Sequence, residues 1–234
     1  MKNFDITKEI SFKESFRNKS IVGKFDLNPD NYKEVFKGEI DLEGKEWNIG
    51  LIAGNSGTGK TTIAKQLFGD NIIQEYPFNR DNSVMDDMPK DKSVEQITQI
   101  FNKVGFSSPP SWLKPYEVLS NGEKMRVELA YNLLSENELT CFDEFTSVVD
   151  RNVAKITSTC IQKTIRKLDK KFIAVGCHFD IIDWLEPDWI FDTNQMKFFF
   201  IQKTSDQSDQ KLNSRYLKLM TNQNIGTYLE SITI

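Results

Sequence analysis

The stretch Ile49-Gly50-Leu51-Ile52-Ala53-Gly54-Asn55-Ser56-Gly57-Thr58-Gly59-Lys60-Thr61-Thr62 decides the fold. The apolar run from Trp47 to Ala53 reads as a strand, and Lys60 to Phe68 has helical composition with Gly69 as its C-cap. Between them, Gly54-x4-Gly59-Lys60-Thr61 satisfies the P-loop pattern. A strand, a glycine loop and a helix in that order let backbone N–H groups and the helix N-terminus cradle phosphate oxygens while Lys60 reaches the β- and γ-phosphates. A chance glycine turn with an incidental lysine would not carry those flanks.

A P-loop also needs a magnesium partner on a neighbouring strand. Leu139-Thr140-Cys141-Phe142-Asp143-Glu144 supplies an apolar strand that ends in two carboxylates. Asp143 is expected to complete the coordination of Mg²⁺ beside the Thr61 hydroxyl, and Glu144 to polarise the attacking water. Alone, an acidic pair after a strand more often caps a helix or sits in a solvated loop; the P-loop beside it shifts the reading to chemistry.

Outward from this centre, Leu139–Phe142 and Phe172–Gly176 flank a helix from Asn152 to Leu168, a βαβ pattern that implies a parallel, buried sheet. Val94, Ile97, Ile100, Phe101 and Val104 recur at helical spacing over residues 93–104, and Gly105 stops the run. The proline-rich piece from Ser108 to Pro115 is a rigid connector to a second helix from Gly122 to Leu134. Near the start, Ile10, Phe12 and the run Ile21 to Leu27 read as short half-buried strands, broken by Asn28-Pro29-Asp30-Asn31. From Thr204 the chain turns polar, so residues 1–203 are expected to form the folded unit and 204–234 a linker and tail.

Composition bounds the rest. With 234 residues, 38% apolar and 17 Phe, the chain can bury a sizeable core. A net charge of −4 gives no overall electrostatic footprint for nucleic acid. The basic run Lys163, Arg166, Lys167, Lys170 and Lys171 reads as a solvated helix face, with a phosphate-contacting surface as the alternative. Cys141, Cys160 and Cys177 lack metal or disulfide spacing, so buried thiols in a reducing, cytoplasmic setting are expected. The polar N-terminus has no signal-like apolar core, and no apolar run approaches the ~20 residues that span a bilayer; membrane insertion is not expected.

Three further segments carry a resemblance. Leu119-Ser120-Asn121-Gly122-Glu123-Lys124-Met125-Arg126 resembles the ABC signature motif. Asp143-Glu144-Phe145-Thr146-Ser147-Val148-Val149-Asp150 resembles a Walker B segment running into a D-loop, and Phe172 to His178 resembles the switch strand with its histidine. The order is that of ABC ATPases. The resemblance implies an α/β P-loop NTPase of ABC type: a mainly parallel core sheet with flanking helices, a small antiparallel β subdomain and a reduced helical subdomain at about residues 85–135.

It also implies ATP and Mg²⁺ as ligands and a homodimer formed head to tail on ATP binding. Ser120 and Gly122 of one copy would cover the nucleotide held at Gly54, Asn55, Ser56, Gly57, Thr58, Gly59, Lys60, Thr61 and Thr62 of the other, with Asp150 nearby. Lys60, Glu144 and His178 would be the catalytic groups, His178 stabilising the transferring phosphoryl group. Within the family the chain is similar, over roughly residues 45–200, to soluble bacterial and phage ABC-type ATPases often fused to a GNAT-like acetyltransferase domain. The residues carrying this are Val104 to Leu113, Phe145 to Lys155 and Phe179 to Trp189. The chain ends before an acetyltransferase would fit, so that activity is not carried over.

Some positions depart from the family pattern. Asn121 stands where a first glycine is usual, Glu123 where transporters often have glutamine, and Asp86 at the expected place of the Q-loop glutamine. Tyr32 or Phe25 would stack on adenine, with ordinary packing as the alternative for each. The implied role is a cytosolic mechanochemical switch acting on nucleic acid or a partner protein; a transporter's nucleotide-binding subunit and a P-loop kinase are the alternatives.

Overall fold

The structure, a computed structural model, describes residues 1–9, 15–27, 33–73 and 75–201. Its elements are β1 (Lys2–Glu9), α1 (Phe16–Lys24), β2 (Lys33–Ile40), β3 (Ile49–Ala53), α2 (Lys60–Phe68), α3 (Val94–Lys103), α4 (Pro109–Trp112), α5 (Asn121–Leu134), β4 (Leu139–Phe142), α6 (Arg151–Leu168), β5 (Lys171–Gly176), α7 (Ile182–Leu185), β6 (Trp189–Asp192) and β7 (Lys197–Phe200). Ile10, Phe12, the turn at 28–31, Tyr32 and the tail from 204 onward lie outside the described residues.

Five strands form one sheet in the order β4-β5-β3-β6-β7. The first four are parallel, and β7 returns antiparallel along β6. All five residues of β3 are buried, which is why its sequence is an unbroken apolar run rather than an alternating one. Successive residues feed two cores. Ile49, Leu51 and Ala53 join the core that holds residues of α3, α5 and α6, whereas Ile52 joins one shared with α2 and the β1–β2 ribbon. At Gly50 the second face must be bare, because a Cβ would lie 2.1 Å from the Trp189 indole that crosses it. That indole stacks on Phe68 and meets Trp47 edge-on.

The ribbon pairs β1 with β2 antiparallel, from Lys2 opposite Ile40 to Glu9 opposite Lys33. Phe4, Phe36 and Ile40 point from one face of it into the core containing Ile63, Ala64 and Phe68 of α2. The helical region carries two capping boxes, Ser93 with Gln96 at α3 and Ser120 with Glu123 at α5, each satisfying backbone donors at a helix start.

One polar clamp fixes the start of the sheet. Asp188 accepts from the backbone N–H of Asn48 (2.8 Å) and Ile49 (2.9 Å), while Arg166 grips it with Nη2 at 3.0 Å and Nη1 at 3.2 Å. Arg166 also donates to the Glu186 carbonyl at 2.7 Å. Lys170 Nζ donates to the carbonyls of Leu133 (3.0 Å) and Ser135 (2.8 Å). The basic run is thus not a uniformly solvated face: two of its cations tie helices and strands together.

Other expectations need correction. Residues 21–24 belong to α1 and not to a strand, and α1 buries no side chain. The Ser15 side chain accepts from Asn18 N–H at 3.2 Å, an N-cap that sets helical winding where the apolar residues suggested alternation. Gly69 does follow α2, but in right-handed conformation, leading into a short 3₁₀ turn over Gly69–Asn71 rather than the left-handed glycine stop. Of the three free cysteines, Cys141 is buried, and Cys160 and Cys177 are half-buried.

Candidate functional site

The loop between β3 and α2 is built by glycines in conformations other residues rarely adopt. Gly57 and Gly59 have φ of 84° and 83°. Gly59 is the N-cap of α2, and a Cβ there would meet the Phe36 ring at 2.5 Å, so the ribbon presses directly on the loop. At the other end a Cβ on Gly54 would lie 2.0 Å from Thr193 Oγ1.

The β6–β7 turn holds the loop's outer side. Thr58 and Thr193 hydroxyls are 2.5 Å apart, Thr193 Oγ1 donates to the Ala53 carbonyl at 3.2 Å, and the Asn55 N–H donates to Asn194 Oδ1 at 3.0 Å. Burial alone raises the Asp192 carboxyl above its usual range, against hydrogen bonds from Asn194 and Gln195 that lower it. None of Thr193, Asn194 and Asp192 was singled out from sequence. The available signal was the Asp192-Thr193-Asn194-Gln195 cluster between two apolar runs, a hairpin turn pattern.

Within the loop, Lys60 is largely buried and its Nζ donates to the Asn55 carbonyl at 2.7 Å. At the second residue of α2, Thr61 Oγ1 donates to Asp143 Oδ1 at 3.3 Å, bringing the P-loop hydroxyl and the first carboxylate after β4 together. A hydroxyl and a carboxylate are hard oxygen donors, so the pair fits Mg²⁺, which takes few protein ligands and completes its shell with phosphate and water. Among the described residues no cluster of three or more His, Cys, Asp or Glu side chains forms a metal cage.

Glu144 is exposed and has φ of 54°, with Thr146 at φ 64° just beyond. Phe145 between them donates its N–H to the Val175 carbonyl at 2.8 Å, which holds this turn against the end of β5. His178 is half-buried two residues past β5, at the start of the 3₁₀ turn Phe179–Ile181. Asp150 caps α6, accepting from the N–H groups of Asn152 (2.9 Å) and Val153 (3.0 Å).

Ser120 is exposed at the N-cap of α5 and Gly122 half-buried beside it. The glutamate at position 123 has a local reason: its carboxylate accepts from the Ser120 N–H at 2.9 Å and from Ser111 Oγ at 2.8 Å. These bonds, the first of them foremost, hold it below the usual carboxylate range. Further along α5, Lys124 and Glu128 line a cavity of about 280 Å³ together with Asn121, Tyr116, Asp143 and Glu144. Tyr116 donates its hydroxyl to Glu128, whose carboxyl burial raises.

No family model matches the chain. A dimeric ATP-binding cassette in a post-hydrolysis state, bound to ADP and Pi, superposes with a TM-score of 0.57 at 12% identity, over 73% of this chain and 94% of that one. The chain has the fold of an ABC ATPase. In sequence the chain is similar to multidrug resistance protein 1 of Plasmodium falciparum, 24% identical over 159 residues. That match spans 65% of this chain and 11% of the relative, so the chain corresponds to about a tenth of that protein's length. It is 30% identical over 115 residues to a putative ABC transporter ATP-binding protein of Mycoplasma pneumoniae, covering 49% of this chain and 41% of that protein.

Asp86 and Phe25, two positions read from the sequence, make local contacts. Asp86 is exposed and accepts from Ser83 Oγ at 2.6 Å. Its neighbour Asp87 is the buried one, accepting from the Asn79 N–H (2.6 Å) and Asn82 Nδ2 (2.8 Å). Phe25 is 61% exposed beyond α1, with Lys24 Nζ 5.8 Å from its ring.

Proposed function

We propose that this ABC-type ATPase binds Mg-ATP in the Gly54–Thr62 loop and hydrolyses it at composite sites of a head-to-tail homodimer. The observation that carries the reading is the join of Thr61 to Asp143 at 3.3 Å beneath a loop held open by two left-handed glycines. Backbone N–H groups and Lys60 bind the phosphates, and Lys60 leaves its loop carbonyl to do so. Magnesium, held by Thr61 and Asp143, supplies charge neutralisation on the phosphates when bound. Glu144 orients the attacking water and accepts its proton, and His178 donates a hydrogen bond to the transferring phosphoryl group.

The lid comes from a second copy. Ser120 is exposed at the start of a 14-residue helix, with Gly122 half-buried beside it, as a residue serving a neighbour's pocket must be. The similar dimeric cassette supports the same assembly.

What hydrolysis drives has two readings. A mechanochemical switch in the cytoplasm acting on nucleic acid or a partner protein is favoured by Asp86 in place of the Q-loop glutamine. Service as the nucleotide-binding subunit of a transporter is favoured by the Mycoplasma pneumoniae relative, an ABC transporter ATP-binding protein by name. Among the described residues no helix is long and apolar enough to cross a membrane, so in the second reading the membrane-spanning part lies outside them.

The test is the Glu144→Gln variant in light scattering with and without Mg-ATP. Doubling of the mass with ATP supports the scheme, and a monomer at saturating ATP overturns it. ATPase rates with DNA, RNA or liposomes then separate the two roles.

A further inference from the structure

Beyond the motif residues lies a cavity of about 390 Å³, lined by Thr61, Thr62, Lys65 and Gln66 of α2 and, across from them, by Lys8 of β1. No motif names Lys8 or Lys65. Lys8 is on the inward face of the ribbon: Phe4 and Ile6 precede it at even positions, whereas Asp5 and Glu9 face outward and pair with Lys37 and Lys33. A strand face that begins apolar against α2 therefore ends in an ammonium at the phosphate-binding end of that helix. The placement is firm. Lys2 Nζ donates to the Leu67 carbonyl at 2.7 Å and lies 4.4 Å from the Phe68 ring centroid, so β1 runs back along α2 from its last turn toward its first.

The cavity sets two cations on facing elements, two hydroxyls and an amide, with no carboxylate in its lining. Like charges brought together repel unless an anion lies between them. Glu34 faces Lys8 across the ribbon in register but does not line the cavity.

We infer that Lys8, with Lys65, binds the phosphates of the nucleotide nearest the ribose, so that the antiparallel ribbon supplies a charged contact to the P-loop site. The inference rests on the nucleotide-binding reading above. It assigns Lys8 to ground-state binding shared by ATP and ADP, and leaves the γ-phosphate to Lys60.

The experiment is fluorescence titration of the full chain with N-methylanthraniloyl derivatives of ATP, ADP and adenosine, for wild type, Lys8→Met, Lys8→Gln, Lys8→Arg and Lys60→Ala. One charge-assisted hydrogen bond predicts about a tenfold rise in Kd for ATP and for ADP in Lys8→Met and Lys8→Gln. Lys8→Arg is expected to stay within about twofold of wild type, and adenosine binding to be unaffected in each Lys8 variant. Lys8→Met binding ADP like wild type overturns the assignment and leaves Lys8 as a partner of Glu34. Equal losses for adenosine and ADP overturn it as well, since they report a loosened ribbon. Wild type that takes up no nucleotide, or Lys60→Ala that binds ATP undiminished, sinks the underlying reading and this inference with it.

Discussion

Thr61 Oγ1 and Asp143 Oδ1, 82 residues apart in sequence, meet at 3.3 Å. Because β5 lies between β4 and β3 in the sheet, the contact crosses a whole strand and fixes where the proposed Mg²⁺ would sit. Asp143→Asn keeps the shape and removes the charge. Phosphate release is expected to fall by about 100-fold or more, and the gain in ATP affinity on adding Mg²⁺ over EDTA to vanish. Unchanged magnesium dependence would remove Asp143 from the ion's ligands.

The Gly54 position leaves no room for a side chain. Gly54→Ala drives a methyl into Thr193 Oγ1, at 2.0 Å, and into Thr58 Oγ1, at 2.9 Å. Overpacking of this kind costs about 1–3 kcal/mol, so the urea midpoint is expected to drop with the m-value unchanged. Thr193→Val tests the same lock from the other side, lowering nucleotide affinity more than stability.

Removing Asp188 strands a largely buried guanidinium. Asp188→Ala leaves Arg166 without its counter-ion and two backbone N–H groups without their acceptor, for an expected loss of about 3–5 kcal/mol in chemical denaturation. The double replacement with Arg166→Met is expected to recover part of it. An undiminished loss in the double variant would show that the backbone acceptor, rather than the stranded charge, sets the cost.

How much of this was legible in the chain varies with range. The P-loop, the acidic pair after β4 and the α6–β5 unit are written in local order and periodicity, so their elements lie within two residues of the sequence reading. The Arg166–Asp188 clamp joins side chains 22 residues apart whose meeting depends on the packed sheet, and no spacing rule announces it. Thr193 is silent for the same reason: its two partners, Thr58 and the Ala53 carbonyl, lie about 140 positions upstream. At α1 the period misleads: Ile21 and Val22 suggest strand residues, although Ser15 stands three positions before Asn18 as a cap.

Acid exposes the α5 cap. The Ser120 N–H, and then the Ser111 and Ser120 hydroxyls, hold the Glu123 carboxyl below its unfolded value. A depressed folded pKa gives a contribution that is complete above the unfolded pKa of about 4.3 and is lost as pH falls through the lower folded value. Amide protection in the first turn of α5 is therefore expected to be level above about pH 5 and to decline below about pH 4. In Glu123→Gln that decline is absent; its persistence there would assign the acid effect to another carboxylate.

Thr146 is wholly buried, β-branched and yet left-handed at φ 64°, and its hydroxyl has no hydrogen-bond partner among the described residues. Such a residue costs about 1–3 kcal/mol that its surroundings must offset. Durability and turnover are thereby set against each other at one position, two residues beyond Glu144. Selection for heat resistance alone would exchange Thr146 for glycine early, and the hardened protein would carry the carboxylate proposed to position water on a slacker hinge.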